Sequence, residues 1–130
     1  MGLERAAQLV AKAVDDINAA KKLISEPRQH DNTGDHMARA VEKLAKAYLE
    51  ASGIQTYPTN GKNGHDLVLL FKMLKEAQLD IESIITLVKL DQYGSRVGYE
   101  YTDEFKKVNL KSLLPLIDEF KGLVLRKLKK

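Results

Sequence analysis

Residues 40–74 read AVEKLAKAYLEASGIQTYPTNGKNGHDLVLLFKML, and this stretch decides the fold. Apolar side chains recur at Ala40, Val41, Leu44, Ala47, Tyr48 and Ala51, the 3.6-residue spacing of one helical face. Gly53 then supplies a left-handed stop, and Ile54 can pack back on the helix it ends. The segment Ile54–Gly64 holds Pro58 and two Asn-Gly pairs, which break any regular element. A second helix is expected from His65 to Ala77, with Leu67, Leu70, Phe71 and Leu74 inward and Asp66 complementing the dipole of its first turn. The unit is therefore helix, turn, loop, helix, with no strand signal.

Working outward, the same period continues. Leu3, Ala6, Ala7, Val10, Val14, Ile17 and Ile24 make a stripe over Leu3–Ser25, followed by Pro27 beyond the helix end. Glu26–Asp35 reads as a polar loop, and Thr33 or Asp35 as the cap of a helix running from His36 to Ser52. Asp80 reads as the cap of a fourth helix bearing Ile81, Ile84, Ile85, Val88 and Tyr93, weakened by Gly94 and Gly98. A last helix runs to Leu128 with Leu110, Leu113, Leu114, Ile117, Phe120 and Val124 inward. Pro115 is cheap only in a first turn, which favours a start near Ser112 over Asn109. These patterns predict an all-α fold: an antiparallel up-and-down bundle of four main helices plus one, as a single domain over residues 1–130.

Composition narrows the chemistry. The chain has 130 residues and no cysteine, which excludes a thiolate zinc site, an iron–sulfur cluster, a cysteine nucleophile and a disulfide scaffold. No apolar run spans a bilayer, and the charged first twenty residues do not read as a signal peptide, so a cytoplasmic location is expected. Four of the last five residues are basic: Arg126, Lys127, Lys129 and Lys130. Removing those four takes the net charge from +3 to −1, so the basicity is a tip and not a stripe for nucleic acid. Cations at a helix C-terminus are the simpler reading. Gly61, Gly64, Gly94 and Gly98 do not form a phosphate-cradling loop, and no nucleotide-binding Rossmann or P-loop fold is expected. No Ser/His/Asp signature is present. His30 and His36 lack the spacing and carboxylates of a metal site and read as loop residues; no cofactor is expected.

Ala40, Val41, Glu42, Lys43, Lys46 and Ala47, then Gly53 and Ile54, then His65, Asp66 and Leu67, together resemble the HEPN family (higher eukaryotes and prokaryotes nucleotide-binding domain). The order and length of the flanking helices match as well. The resemblance implies a compact helical bundle, commonly a homodimer. It implies a nucleotide- or RNA-binding component that often works beside a small nucleotidyltransferase in a toxin–antitoxin pair.

Two departures matter. Asn60–Gly64 lengthens the loop before His65. Many HEPN ribonucleases carry Arg, four to six residues, then His; here Arg96 is followed five positions on by Tyr101, and no histidine lies beyond His65. Arg96 can bind a phosphate through its planar fork. A phenol near pKa 10 is a poor base at neutral pH, although Tyr101 or Tyr99 can donate a hydrogen bond or stack on a base. Arg96 and Tyr101 are therefore the candidate catalytic pair, and Arg96, Tyr99, His65 and Asp66 the candidate ligand contacts. A packed arginine at a helix end, and a loop-anchoring His65–Asp66 pair, are the structural readings of the same residues. Three functions follow: a binding component of the two-protein system, a dimeric interaction module without catalysis, or a ribonuclease using Arg96 with a tyrosine. A dimer is also favoured by the leucine and isoleucine content of the fourth and fifth helices, more than a small bundle buries alone.

Overall fold

The computed structural model describes residues 2–56, 67–94 and 109–129. Its elements are α1 (Gly2–Leu23), a 3-10 turn (Pro27–Gln29), α2 (His30–Ala51), α3 (Leu67–Glu76), a 3-10 helix (Ile85–Leu90), α4 (Asp91–Gly94) and α5 (Leu110–Leu128). The all-α bundle read from the periodicity is thus observed.

α1 buries Ala6, Leu9, Val10, Ala13, Ile17 and Ala20, while Leu3 and Ala7 of the expected stripe face solvent. α1 and α2 run antiparallel. Arg5 meets Glu50 near one end of the pair, and Asp16 meets His36 and Lys43 further along. At that first end a Cβ on Gly2 would lie 2.5 Å from the Glu50 carbonyl oxygen, so only glycine allows the helices to approach this closely.

α2 begins six residues earlier than its composition suggests, which corrects the expected polar loop over Glu26–Asp35. Pro27 opens a 3-10 turn that passes directly into the helix. Neither Thr33 nor Asp35 caps it. Thr33 lies inside the helix and donates its hydroxyl to the Gln29 carbonyl at 2.7 Å, and Asp31 stands in the first turn where its charge suits the dipole. Polar residues that favour turns are also those that open helices, so composition does not separate the two. The other end is as read: Gly53 has φ 82° and the Ile54 amide donates to the Leu49 carbonyl at 2.8 Å.

The fourth element departs from expectation. Asp80 does accept a hydrogen bond from the Glu82 amide at 3.0 Å, but no regular α-helix follows. The chain forms a turn, then the 3-10 helix, then one turn of α4. Its buried residues are Ile84, Leu87, Leu90 and Tyr93, spaced by three. In a 3-10 helix residues three apart eclipse, so this spacing makes one face. Ile85, placed inward by a 3.6-residue reading, is 41% exposed.

α5 starts at Leu110, not near Ser112. Asn109 is its cap, its side chain accepting from the Ser112 amide at 3.3 Å. Pro115 therefore sits in the second turn, where it removes one backbone donor; Lys111, four residues back, is exposed, so water can satisfy the freed carbonyl. α5 runs in the same direction as α2. Asn109 and Leu110 line a groove with His30, and eighteen residues later Lys127 lies over the Tyr48 ring, 5.3 Å from its centroid. That contact accounts for one cation of the basic tip. Between these helices Phe71 and Phe120 meet edge to face at 5.8 Å in the core.

Candidate functional site

All five residues the sequence singles out, His65, Asp66, Arg96, Tyr99 and Tyr101, lie outside the described residues. The structure instead shows the frame from which the two stretches carrying them depart. Both stretches are held at each end by a side chain.

The stretch before His65 leaves from Thr56. Its amide and hydroxyl donate to the buried Glu50 carboxylate at 2.9 and 3.0 Å. Glu50 also faces Arg5 at 3.6 Å, so a carboxylate that is only 7% exposed is compensated. The chain re-enters at Leu67, whose amide donates to the Asp91 carboxylate at 2.9 Å. This is a capping interaction supplied from another element, and it ties α3 to α4.

Arg96 follows α4, and α4 is fixed by Tyr93. The tyrosine is 3% exposed. Its hydroxyl and His30 Nε2 are hydrogen-bonded at 2.8 Å, and the rings meet edge to face at 5.7 Å. The ring lies on Gly34, where a Cβ would come within 2.3 Å of Tyr93 Cδ1. Asn109, where the chain is described again, lines the same small groove of about 200 Å³ as His30 and Thr33. α4 thus serves as a hub. Asp91 grips the start of α3, and two residues later Tyr93 grips the start of α2.

A second polar cluster sits between α1 and α2. Asp16 accepts hydrogen bonds from His36 Nδ1–H at 3.0 Å and from the Lys43 ammonium. Nδ1 so engaged fixes the imidazole tautomer, with the lone pair on Nε2. Beside it Lys46 and Glu42 pair at 2.9 Å one turn apart. The Glu42, Lys43 and Lys46 of the family-like motif are therefore ion-pair partners in the bundle.

The two histidines read as loop residues both stand on α2. They point to different partners, His30 to Tyr93 and His36 to Asp16. Among the described residues no group of three or more His, Asp or Glu is placed to hold a metal ion. No described helix is long and apolar enough to cross a membrane.

A family model for the HEPN domain matches residues 6–128 of this all-helical chain. The protein belongs to the HEPN family. No curated protein and no solved structure matches it. In this HEPN domain, His30, Tyr93, Gly34 and Asp91 are the residues that sequence reasoning missed. His30 and Tyr93 are 63 positions apart, and nothing local marks them as partners. Asp16 did leave a signal. It falls on the buried face with Ala13, Ile17 and Ala20, where a carboxylate demands a cation.

Proposed function

We propose that this HEPN protein is the nucleotide- or RNA-binding component of a two-protein, toxin–antitoxin type system whose other member is a nucleotidyltransferase, and that it works as a homodimer. The observation carrying this reading is the family match over residues 6–128 in a chain that keeps Arg96 but has no histidine after His65. A guanidinium binds phosphate without needing a base. Cleavage of RNA without a metal needs a proton acceptor near neutrality, which the phenol of Tyr101 is not. Arg96 holds the phosphate in this reading, Tyr99 stacks on or bonds the base, and His65 and Asp66 complete the contacts. The clamps at Thr56, Leu67, Tyr93 and Asn109 support it, because they fix the roots of both stretches on one rigid frame.

The test is binding of ATP and of a mixed RNA pool by the wild type and by Arg96→Ala. Loss of binding in the variant at an unchanged melting temperature is expected. Unchanged binding by the variant overturns the role of Arg96. Incubation of RNA in EDTA separates binding from cleavage: intact RNA is expected, and cleavage by the wild type alone makes the protein a ribonuclease using Arg96 and Tyr101. Co-purification with a nucleotidyltransferase encoded beside it tests the partner. A gain of nucleotide mass after incubation with that enzyme and ATP would place the acceptor at Tyr99 or Tyr101, which the matching phenylalanine variants would abolish. A stable dimer that binds neither nucleotide nor RNA would make it an interaction module.

A further inference from the structure

The face of α5 near its end carries Gly122, Leu125, Arg126 and Lys129, spaced as one helical stripe. Leu125 is 39% exposed, and Arg126 and Lys129 are exposed with no ion pair among the described residues. Gly122 is the informative member. Glycine inside a helix costs about 1 kcal/mol relative to alanine. At Gly2 and Gly34 a close neighbour within the chain requires glycine, but a Cβ on Gly122 would meet nothing within 4 Å. The chain's own packing gives no reason for it. A small residue on an open helix face lets another body approach closely.

A complementary surface lies nearby. The turn from α3 into the 3-10 helix encloses an open hollow of about 660 Å³, lined by Leu79, Ile81 and Ile85 and edged by Asp80 and Glu82. Ile85 is one of the few large apolar side chains left exposed. Gln78 in its lining has φ 73°, a conformation non-glycine residues seldom adopt. One surface is apolar with cations and the other apolar with anions. Both sit in the same part of the bundle: Ser83 donates its hydroxyl to Glu119, and Arg126 is seven residues on, about 10 Å along the helix.

We infer that the Gly122, Leu125, Arg126 and Lys129 face of α5 docks into the Leu79–Ile85 hollow of a second copy of this chain. A two-fold axis between the adjacent surfaces makes both contacts at once, each stripe meeting the other copy's hollow. Leu125 enters among Leu79, Ile81 and Ile85, and Arg126 and Lys129 face Asp80 and Glu82. Apolar burial holds the pair together, and the charges select this pairing over others. The inference rests on the homodimer in the reading above and not on its ligand.

The experiment is sedimentation velocity across a concentration series, with circular dichroism confirming each fold. The wild type is expected to dimerise. Asp80→Lys/Glu82→Lys has two basic surfaces, and Arg126→Glu/Lys129→Glu has two acidic ones. Each alone is expected to dimerise at least tenfold more weakly. An equimolar mixture restores both contacts and is expected to form the mixed dimer at near wild-type affinity. Gly122→Leu, which the single chain tolerates, is expected to weaken the dimer as well. A monomeric wild type overturns the homodimer altogether. A wild-type dimer indifferent to both charge reversals, or a mixture that does not recover, overturns this surface and leaves the homodimer standing. Loss of RNA binding in Arg126→Glu/Lys129→Glu with dimerisation intact also overturns it, and assigns the tip to nucleic acid.

Discussion

The α1–α2 hairpin and the Leu67–Gly94 region solve the same packing problem differently. In the hairpin, two helices of 22 residues each supply a regular lattice, and charged groups are set between them. Asp16 can be almost buried because helix geometry places Lys43 and His36 against it. The Leu67–Gly94 region has only the ten residues of α3 and one turn of α4 in α-helix. Its shape comes from a three-residue apolar period and from two grips, Asp91 on Leu67 and Tyr93 on His30. A long helix fixes its own side chains and can host polar pairs. A short irregular segment needs contacts from outside to define its path.

Four substitutions, from the largest effect to the smallest, would sharpen or break that contrast; unfolding in urea under monomeric conditions reads each. Leu87→Ala should cost about 3 kcal/mol, as for a fully buried leucine, whereas Ile85→Ala should cost under about 0.5 kcal/mol. Equal costs would mean the segment is an ordinary α-helix. Gly34→Val should cost about 2–3 kcal/mol by driving a side chain into the Tyr93 ring, and Tyr93→Ala in the same chain should lessen the penalty. Additive losses would remove Tyr93 as the cause. Asp16→Ala should cost about 2 kcal/mol, since it strands Lys43 and His36 beside an apolar interface, while Asp15→Ala, exposed one residue earlier, should be neutral.

The smallest effects separate two helix ends that share one design. α2 ends with Gly53 bonded to Glu50 and Ile54 to Leu49; α3 ends with Gln78 bonded to Lys75 and Leu79 to Leu74. Both need a left-handed residue, and φ is 82° at Gly53 and 73° at Gln78. Gly53→Ala should therefore cost about 1 kcal/mol, and Gln78→Gly should stabilise by about 0.5–1 kcal/mol. A destabilised Gln78→Gly would show that the glutamine side chain matters more than its backbone strain.

The same pair shows what was legible. The Gly53 stop could be read because glycine advertises a positive φ. The stop at Gln78 could not, because glutamine rarely takes that conformation, and only the packing of Leu79 behind it imposes the turn. The loop at Glu26–Asp35 was misread for a related reason, since Asp31, Asn32 and Thr33 serve helix starts and loops equally. Of the site, the chemistry of Arg96, Tyr99, Tyr101, His65 and Asp66 was legible from residue type and spacing. The frame that holds their stretches was not, because Glu50–Thr56 closes around a helix end and His30–Tyr93 closes across 63 residues.

The sequence by itself determined the all-helical class, the buried faces of α1, α2, α3 and α5, the stop at Gly53 and the HEPN-like motif. Each of these is written in spacing or in the conformational range of a residue, which act over one or two turns. Tertiary structure alone decided the 3-10 path of Ile85–Leu90, the side-by-side course of α2 and α5, the burial of Asp16, and the hub at Asp91 and Tyr93. Those depend on which groups meet after the chain has closed over long separations. Local preferences of a fraction of a kcal/mol per residue yield there to the burial of whole side chains, worth several times more.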